Sequence, residues 1–427
     1  MTIAGAAPTR PGGDDRVESA LAALARGRPV VVVAVDQNRS ADGNLILAAE
    51  HATPAALAFM VRRSNGYVCV SMPDEHADHL DLPLMVPGGD DPHGNTFTVT
   101  VDAATGITTG ISATDRARTI RALADPNACP QAFTRPGHVL PLRARPGGVL
   151  ARPGHTEAAG DLCQLAGLQP VGVLAAITND DGTMTRGAEL ERLAADHHLG
   201  LLDVADIVAY RRRREMLVRR EASTRLSTRH GEFTAVGYRS SLDHTEHLTL
   251  VMGDITATAD PVLVRVHSEC PIGDVFGSTR CDCGEHLAQA MARIGAAGRG
   301  IVVYLRGHPG HKIGLTTNDY DLQERGTITL DANLAQGPPV DSRDYTDAAH
   351  ILRELKVTSA RLLTNNPDKQ RQIAAAGIPI ACREPLLTTP AAATTAHIWP
   401  NGPACALTTR APQRCSDTPA TRESSPP

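Results

Sequence analysis

The chain has 427 residues, 42% of them hydrophobic and 21% charged, which is enough apolar material for two or three domain-sized cores. Its 42 Lys and Arg against 47 Asp and Glu leave a net charge of −5, which excludes a sequence-wide basic field for holding a nucleic-acid backbone. The sequence has no apolar run of about eighteen residues and no apolar signal-peptide core at its start, so neither a membrane span nor secretion is expected, and the cytoplasm is the expected compartment.

Residues 1–15 are rich in Gly, Pro and Ala and are read as a disordered arm; from Arg16 the apolar positions Val17, Leu21 and Leu24 predict a helix. The run VVVVAVD after Pro29 predicts a buried strand. Strand-like YVCVSM, FTVTVD and VGVLAAI then alternate with helical PAALAFMVRR and ELERLAADHH, which predicts a first α/β (α+β) domain over 16–213. The segment DIVAYRRRREMLVRREAS is basic and helix-compatible. It predicts a linker helix over 214–230, read as a solvated face rather than a phosphate or RNA site. A second domain over 231–387 opens with strands (EFTAVGYRS, HLTLVMG, VLVRVHSE) and continues in alternation (HLAQAMARI, GIVVYLRG, DAAHILRELKV, ARLLTNN). Residues 388–427 form a Thr/Ala/Pro/Ser-rich low-complexity tail that carries the only tryptophan, Trp399.

Nine cysteines are an odd number in a chain that does not read as secreted, so a metal site is a better expectation than a disulfide framework. Cys270, Cys281 and Cys283 form C-x10-C-x-C within HSECPIGDVFGSTRCDCGEHL, between a predicted strand and a predicted helix. Three thiolates suit zinc and leave a fourth position for water, which then ionises near neutral pH. Taken alone, the spacing is equally compatible with buried thiols or a structural zinc.

The surroundings add to this reading. RVHSEC, GDVFGS, RCDCG, DSRDY and RLLTNNPDK, in order from Val262 to Lys369, resemble GTP cyclohydrolase II. The resemblance implies that Cys270, Cys281 and Cys283 hold Zn(2+) and that GTP is opened at its imidazole ring with release of formate and diphosphate. By the same resemblance Arg343 attacks the α-phosphorus, Asp341 accepts the proton, and Tyr320 is the motif tyrosine. Nucleotide contacts fall on Arg265, Val266, His267, Ser268, Glu269, Thr329, Thr364 and Lys369, and His286 stands where the family has a base-contacting Gln. The chain departs from the family at YLRGHPGHKIGL, where YLRQEGRGIGL is usual; Lys312 and His311 replace the bidentate arginine only in part. His308 and His311 form H-x-x-H, but the Pro-Gly between them argues against a helical metal pair.

The first half, through GITTGISATDRARTIRALADP, RPGHVLPLRARPGGVLARPGHTEAAGDL and TNDDGTM, resembles 3,4-dihydroxy-2-butanone 4-phosphate synthase. That domain order is the one found in bifunctional riboflavin-biosynthesis proteins. The family's acidic loop D-E-D-R-E-N-E-G-D appears as residues 36–44 with Ser40 at the metal-binding Glu and Asn44 at the last Asp; Arg39 and Asp42 remain. His155 keeps a metal-ligand position, His138 a catalytic one, and Arg152 and Thr156 stay beside them, whereas a further catalytic Glu falls on Ala176. One imidazole in place of hard carboxylates makes a poor magnesium site, so the synthase domain is expected to be folded but inert. The expected partner is GTP or a close purine nucleotide, with Mg(2+) accompanying the triphosphate, no nucleic acid and no membrane; a homodimer is compatible with the chain. Two other readings stay open: a paralogue using GTP in a specialised-metabolite pathway, and a non-catalytic nucleotide-binding scaffold.

Overall fold

The computed structural model describes residues 12–35, 41–88, 91, 94–279, 281–307 and 344–386. The chain divides into two compact units, Met1–Arg214 and Glu215–Pro427.

In the first unit the elements run α1 (Gly13–Ala25), β1 (Val30–Val35), β2 (Ala41–Ala48), α2 (Pro54–Arg63), β3 (Cys69–Pro73), α3 (Asp74–His79), β4 (Thr96–Phe97), β5 (Val101–Ala103), α4 (Ala113–Ala124), β6 (Phe133–Ala144), α5 (His155–Leu165), β7 (Gly172–Ala176), α6 (Ala188–Asp196), β8 (Leu201–Asp203) and α7 (Val204–Arg214). Helix α1 begins inside the stretch expected to be a disordered arm, because Val17, Ala20 and Leu24 bury a single helical stripe that holds its first turn in place. The sheet runs β4-β6-β3-β7-β2-β1-β8, with β5 also on β6. It is mixed: β1 with β8 and β3 with β6 are parallel, while β2 is antiparallel to both β1 and β7. One core lies between the sheet and α2, α4 and α6; a second packs α1, α5 and α7 on the other face. The expected strand FTVTVD is split into β4 and β5, both of which pair with β6.

The expected linker helix over 214–230 is not there. Helix α7 ends at Arg214, and Val218–Thr228 is a strand, β9. Pairing with the following strand along nearly its whole length overrides a charge-rich sequence that reads as helical in isolation. The arginine run of α7 is tied within its own unit. Arg211 Nη1 lies 2.6 Å from Asp161, Arg214 Nη2 lies 2.7 Å from Glu18, and Arg213 pairs with Asp14.

The second unit continues with β10 (Gly231–Ser240), β11 (Glu246–Met252), β12 (Val262–Ser268), α8 (Pro271–Asp274), α9 (Cys283–Ala297), β13 (Gly300–Leu305), α10 (Thr346–Glu354), β14 (Ala360–Leu363), α11 (Pro367–Ala375) and β15 (Ile380–Glu384). Its sheet order is β15-β14-β12-β13-β11-β10-β9. Strands β12 to β15 are mutually parallel where they pair, and β9, β10, β11 and β13 form an antiparallel meander. Val264, Val266, Ile301 and Val303 meet α10 and α11 on one face, while Leu263 and Val302 meet Ala290 and Ile294 of α9 on the other. Helix α9 is thus placed so that its first residue, Cys283, starts beside the carboxyl end of β12, the usual location of sites in open parallel sheets.

Candidate metal centre and a second, altered site

Cys270 follows β12 by two residues, Cys281 lies in the connection after α8, and Cys283 opens α9. Their three Sγ atoms lie within 4.8 Å of one another, and Cys270 and Cys281 are 3.9 Å apart. A tetrahedron with zinc–sulfur bonds of about 2.3 Å has an edge of about 3.8 Å, so the spacing fits the metal. The cradle is built for close approach. A Cβ on Gly273 would stand 2.7 Å from Cys281 Sγ, and one on Gly284 would stand 2.3 Å from the Gly273 carbonyl. A hydrogen bond with Cys281 pushes the Cys270 thiol up to about 11, and hydrogen bonds with Cys270 and Cys281, with repulsion between adjacent thiolates, raise that of Cys283. A divalent cation relieves that repulsion, so the donor set fits a metal in its chemistry as well as its spacing.

Around the sulfurs lies a buried polar network. Burial opposes the charge on Asp274, but His267 Nε2 donates to both its oxygens at 3.0 Å, the Cys270 N–H donates at 2.8 Å and the Tyr304 hydroxyl at 2.8 Å. Together they hold its carboxyl below the usual range. The ring of His267 stacks on Tyr304 with centroids 5.4 Å apart. Arg265 donates to the Leu363 carbonyl at 2.9 Å, and desolvation lowers its guanidinium to about 10 although Cys283 and Asp282 lie nearby. Lys369 sits on α11, whose N-cap Asn366 accepts from the Asp368 and Lys369 N–H groups. Its Nζ donates to the Val266 carbonyl at 2.7 Å and lies 4.9 Å from the centre of the Tyr345 ring.

These placements sort the residues expected to contact nucleotide. Arg265, Val266, His267, Ser268, Thr364 and Lys369 are buried around the carboxyl end of β12 and the start of α11. His267 is tied to Asp274, and Thr364 Oγ1 accepts from the Asn366 N–H at 3.1 Å. Glu269 is half-buried and faces Arg306 at 3.5 Å. His286, on the first turn of α9, turns Nδ1 toward Asp282 at 3.4 Å, while its buried Nε2 has no hydrogen-bond partner among the described residues. Tyr320, Thr329, Asp341, Arg343 and the residues His308, His311 and Lys312 lie outside the described residues. Sequence reasoning missed Asp274, Tyr304 and Gly273. The GD pair after PI and the tyrosine of YLR were the available signals, and neither names a partner.

The first unit holds a different kind of site. Asp102 accepts from the His138 N–H at 3.0 Å and from its ring Nδ1 at 2.6 Å, and the imidazole is half-exposed. Gly110, at φ +89°, admits this pair: a Cβ there would stand 2.2 Å from Asp102 Oδ2. The loop before α4 is pinned by Asp115, which accepts from Thr108 N–H (3.1 Å), Thr108 hydroxyl (2.7 Å) and Gly110 N–H (3.2 Å). Asp42 is occupied by Arg186 at 2.6 Å, and its carbonyl lies 3.1 Å from Nε2 of His155, whose burial lowers its pKa. Arg152 is held by the Gly94 carbonyl, Asn95 and buried Glu157, and Thr156 accepts from Ser71 through its carbonyl at 2.6 Å. Asn44 and Ala176, two of the positions that depart from the synthase pattern, face each other in register across β2 and β7. Arg39 and Ser40 lie outside the described residues. Among the described residues, the cysteine triad is the one group of three convergent metal-donor side chains, so none is found in this unit.

Comparison with known proteins places both halves. The family model of 3,4-dihydroxy-2-butanone 4-phosphate synthase matches residues 18–210, and that of GTP cyclohydrolase II matches residues 219–385. The chain is 54% identical over 376 residues to riboflavin biosynthesis protein RibBA of Salinispora arenicola (strain CNS-205), covering 88% of this chain and 89% of that protein. It is 53% identical to RibBA of Rhodococcus jostii (strain RHA1) over 86% of this chain and 90% of the relative. Among solved structures, RibBX, a two-domain 3,4-dihydroxy-2-butanone 4-phosphate synthase from A. baumannii, aligns with TM-score 0.64 and 32% identity over 88% of this chain and all of that one. With a synthase-family half, a cyclohydrolase-family half and relatives matched along most of both lengths, the chain belongs to the family of bifunctional riboflavin biosynthesis proteins, RibBA.

Proposed function

We propose that this chain serves riboflavin biosynthesis through its cyclohydrolase unit, hydrolysing GTP with release of formate and diphosphate, while its synthase unit is folded and catalytically inert. The observation that carries the proposal is the contrast between the units: three thiols converge at metal-binding distance in one, and no comparable donor group is found among the described residues of the other. Cys270, Cys281 and Cys283 would hold zinc, which would supply Lewis acidity to activate a water for attack on the imidazole ring of the purine. The remaining work falls to protein groups. Asp274 fixes Cys270 by accepting its N–H, and Arg265 places a buried positive charge beside Cys283 that favours the thiolate. Lys369 and Thr364 stand at the ends of β12 and β14, where a triphosphate needs cations and hydroxyl donors, with Mg(2+) as its companion ion. By family resemblance, Arg343 attacks the α-phosphorus and Asp341 takes the proton. The loss of one arginine from YLRGHPGHKIGL removes a charge-assisted contact of about 2–3 kcal/mol, so turnover is slowed by about thirty- to 160-fold rather than abolished.

Incubating zinc-loaded protein with labelled GTP and quantifying both products tests this. Formate and diphosphate are expected together; no formate above a zinc-stripped control, while GTP demonstrably binds, would overturn the reading in favour of a nucleotide-binding scaffold.

A further inference from the structure

His247 lies on β11, is 4% exposed, and hydrogen-bonds to neither the cysteines nor, among the described residues, those expected to bind nucleotide. Its two ring nitrogens face two different parts of the chain. Nδ1 accepts from the backbone N–H of Arg306 at 3.2 Å, which places the ring proton on Nε2; Nε2 donates to Asp347 Oδ2 at 2.9 Å. Arg306 is the first residue after β13, and Asp347 is in the first turn of α10. In the sequence, the residues between them carry Tyr320, Asp341 and Arg343.

We propose that His247 is a positioning residue for GTP turnover, a single buried imidazole that ties the exit of β13 to the entry of α10 and so fixes both roots of the segment bearing Asp341 and Arg343. Neighbouring contacts make each root specific. Directly after Arg306 the chain turns at Gly307, φ +72°, where a Cβ would stand 3.2 Å from Thr245, two residues before His247. At the other root Asp344 accepts from the Thr346 N–H and hydroxyl, and Tyr345 is fully buried, so the chain enters α10 in one conformation. The Arg306 side chain adds little: it is half-exposed, 3.5 Å from Glu269 and 4.0 Å from Glu246. An apolar residue at 247 would fill the same space and connect nothing. A one-angstrom error in placing a catalytic group is costly in rate, and linking both roots through one ring limits that error.

The role in turnover rests on the proposed GTP hydrolysis; the tie itself does not, and the experiment separates them. Hydrogen exchange is measured on the full-length zinc-loaded protein and its variants. Arg306 amide protection is expected to fall about tenfold in His247→Leu and equally in Asp347→Ala, with α9 and β12 unchanged. Asp347→Asn, which keeps an acceptor oxygen, is expected to retain protection. In parallel, kcat for GTP is expected to fall about tenfold in both variants with KM within about threefold, and the double variant to be no slower than either single one. Unchanged Arg306 protection in Asp347→Ala, a partly exposed site whose change leaves the core intact, overturns the tie, as do additive losses in the double variant. A wild-type protein that fails to turn over GTP sinks the functional reading and leaves the exchange result to decide the tie.

Discussion

The two units carry sheets of comparable size, each covered by helices on both faces, yet they differ in what their site positions hold. In the second unit the groups that make chemistry possible and the groups that position them are both present: three sulfurs, the Asp274 network and the glycine cradle. In the first, the positioning groups persist. Asp115 still pins its loop and Asp102 still orients His138, but Asn44 and Ala176 stand where the synthase pattern has carboxylates. Packing and hydrogen-bonded loops are maintained by stability, whereas catalytic carboxylates contribute to turnover and often oppose stability. On the proposed reading of an inert first unit, the fold of its site outlasts its chemistry.

The sharpest way to break this contrast is to remove the metal site. Cys281→Ser or Cys283→Ser is expected to take zinc from one per chain to near zero by elemental analysis and to abolish formate release. Zinc retained at wild-type level in either variant would remove that residue from the site. The next effect lies in the other unit. Ribulose 5-phosphate at saturating magnesium is expected to give no dihydroxybutanone phosphate, and Ser40→Glu, Asn44→Asp and Ala176→Glu together are expected to restore measurable product. Wild-type turnover would erase the contrast; a folded but silent triple variant would show that more than carboxylates is missing.

A third measurement sharpens the comparison inside the second unit. Arg343→Ala is expected to slow diphosphate release by about thirty- to hundredfold while formate release from ring opening changes less, as read from the ratio of the two labelled products. Smallest is an effect on stability in the first unit. The hydroxyl of Thr108, with the Thr108 and Gly110 N–H groups and the Ser112 hydroxyl, holds the Asp115 carboxyl below its ordinary 3.8. A depressed carboxyl stabilises the folded state above its unfolded value, and that contribution is lost as pH falls through the lower folded value. Asp115→Asn is expected to lower Tm by a few degrees at neutral pH and to shrink the difference from wild type below pH 3.8, as measured by thermal melts across pH. A difference that stays constant into acid would show that the charge is not what pins the loop.

Much of this was legible in the sequence. Apolar, β-branched runs such as VLVRVHSE and VGVLAAI became strands, and the cysteine spacing together with the motifs around it pointed to the three sulfurs that could hold a metal. Strand β9 was not legible. Only its first residue is buried, so its alternation carries no hydrophobic signal, and its identity comes from β10 rather than from itself. Asp274 was equally silent: an aspartate in a four-residue helix has no local mark of the three donors that converge on it from β12, β13 and the Cys270 backbone. Groups defined by partners distant in sequence are visible only once the sheet brings them together.

If the first unit is inert as proposed, the register of β2 on β7 bears on whether its chemistry could return one change at a time. Asn44 and Ala176 are directly opposite. A glutamate introduced at 176 alone would face a neutral amide, and an aspartate at 44 alone would be a buried charge opposite a methyl group. The reversal at the buried position 44 carries a desolvation cost, without the metal that would offset two carboxylates together. On the proposed reading of an inert unit, a path back through single changes at these two positions would pass through intermediates no more active than the present protein, and the change would act as a ratchet.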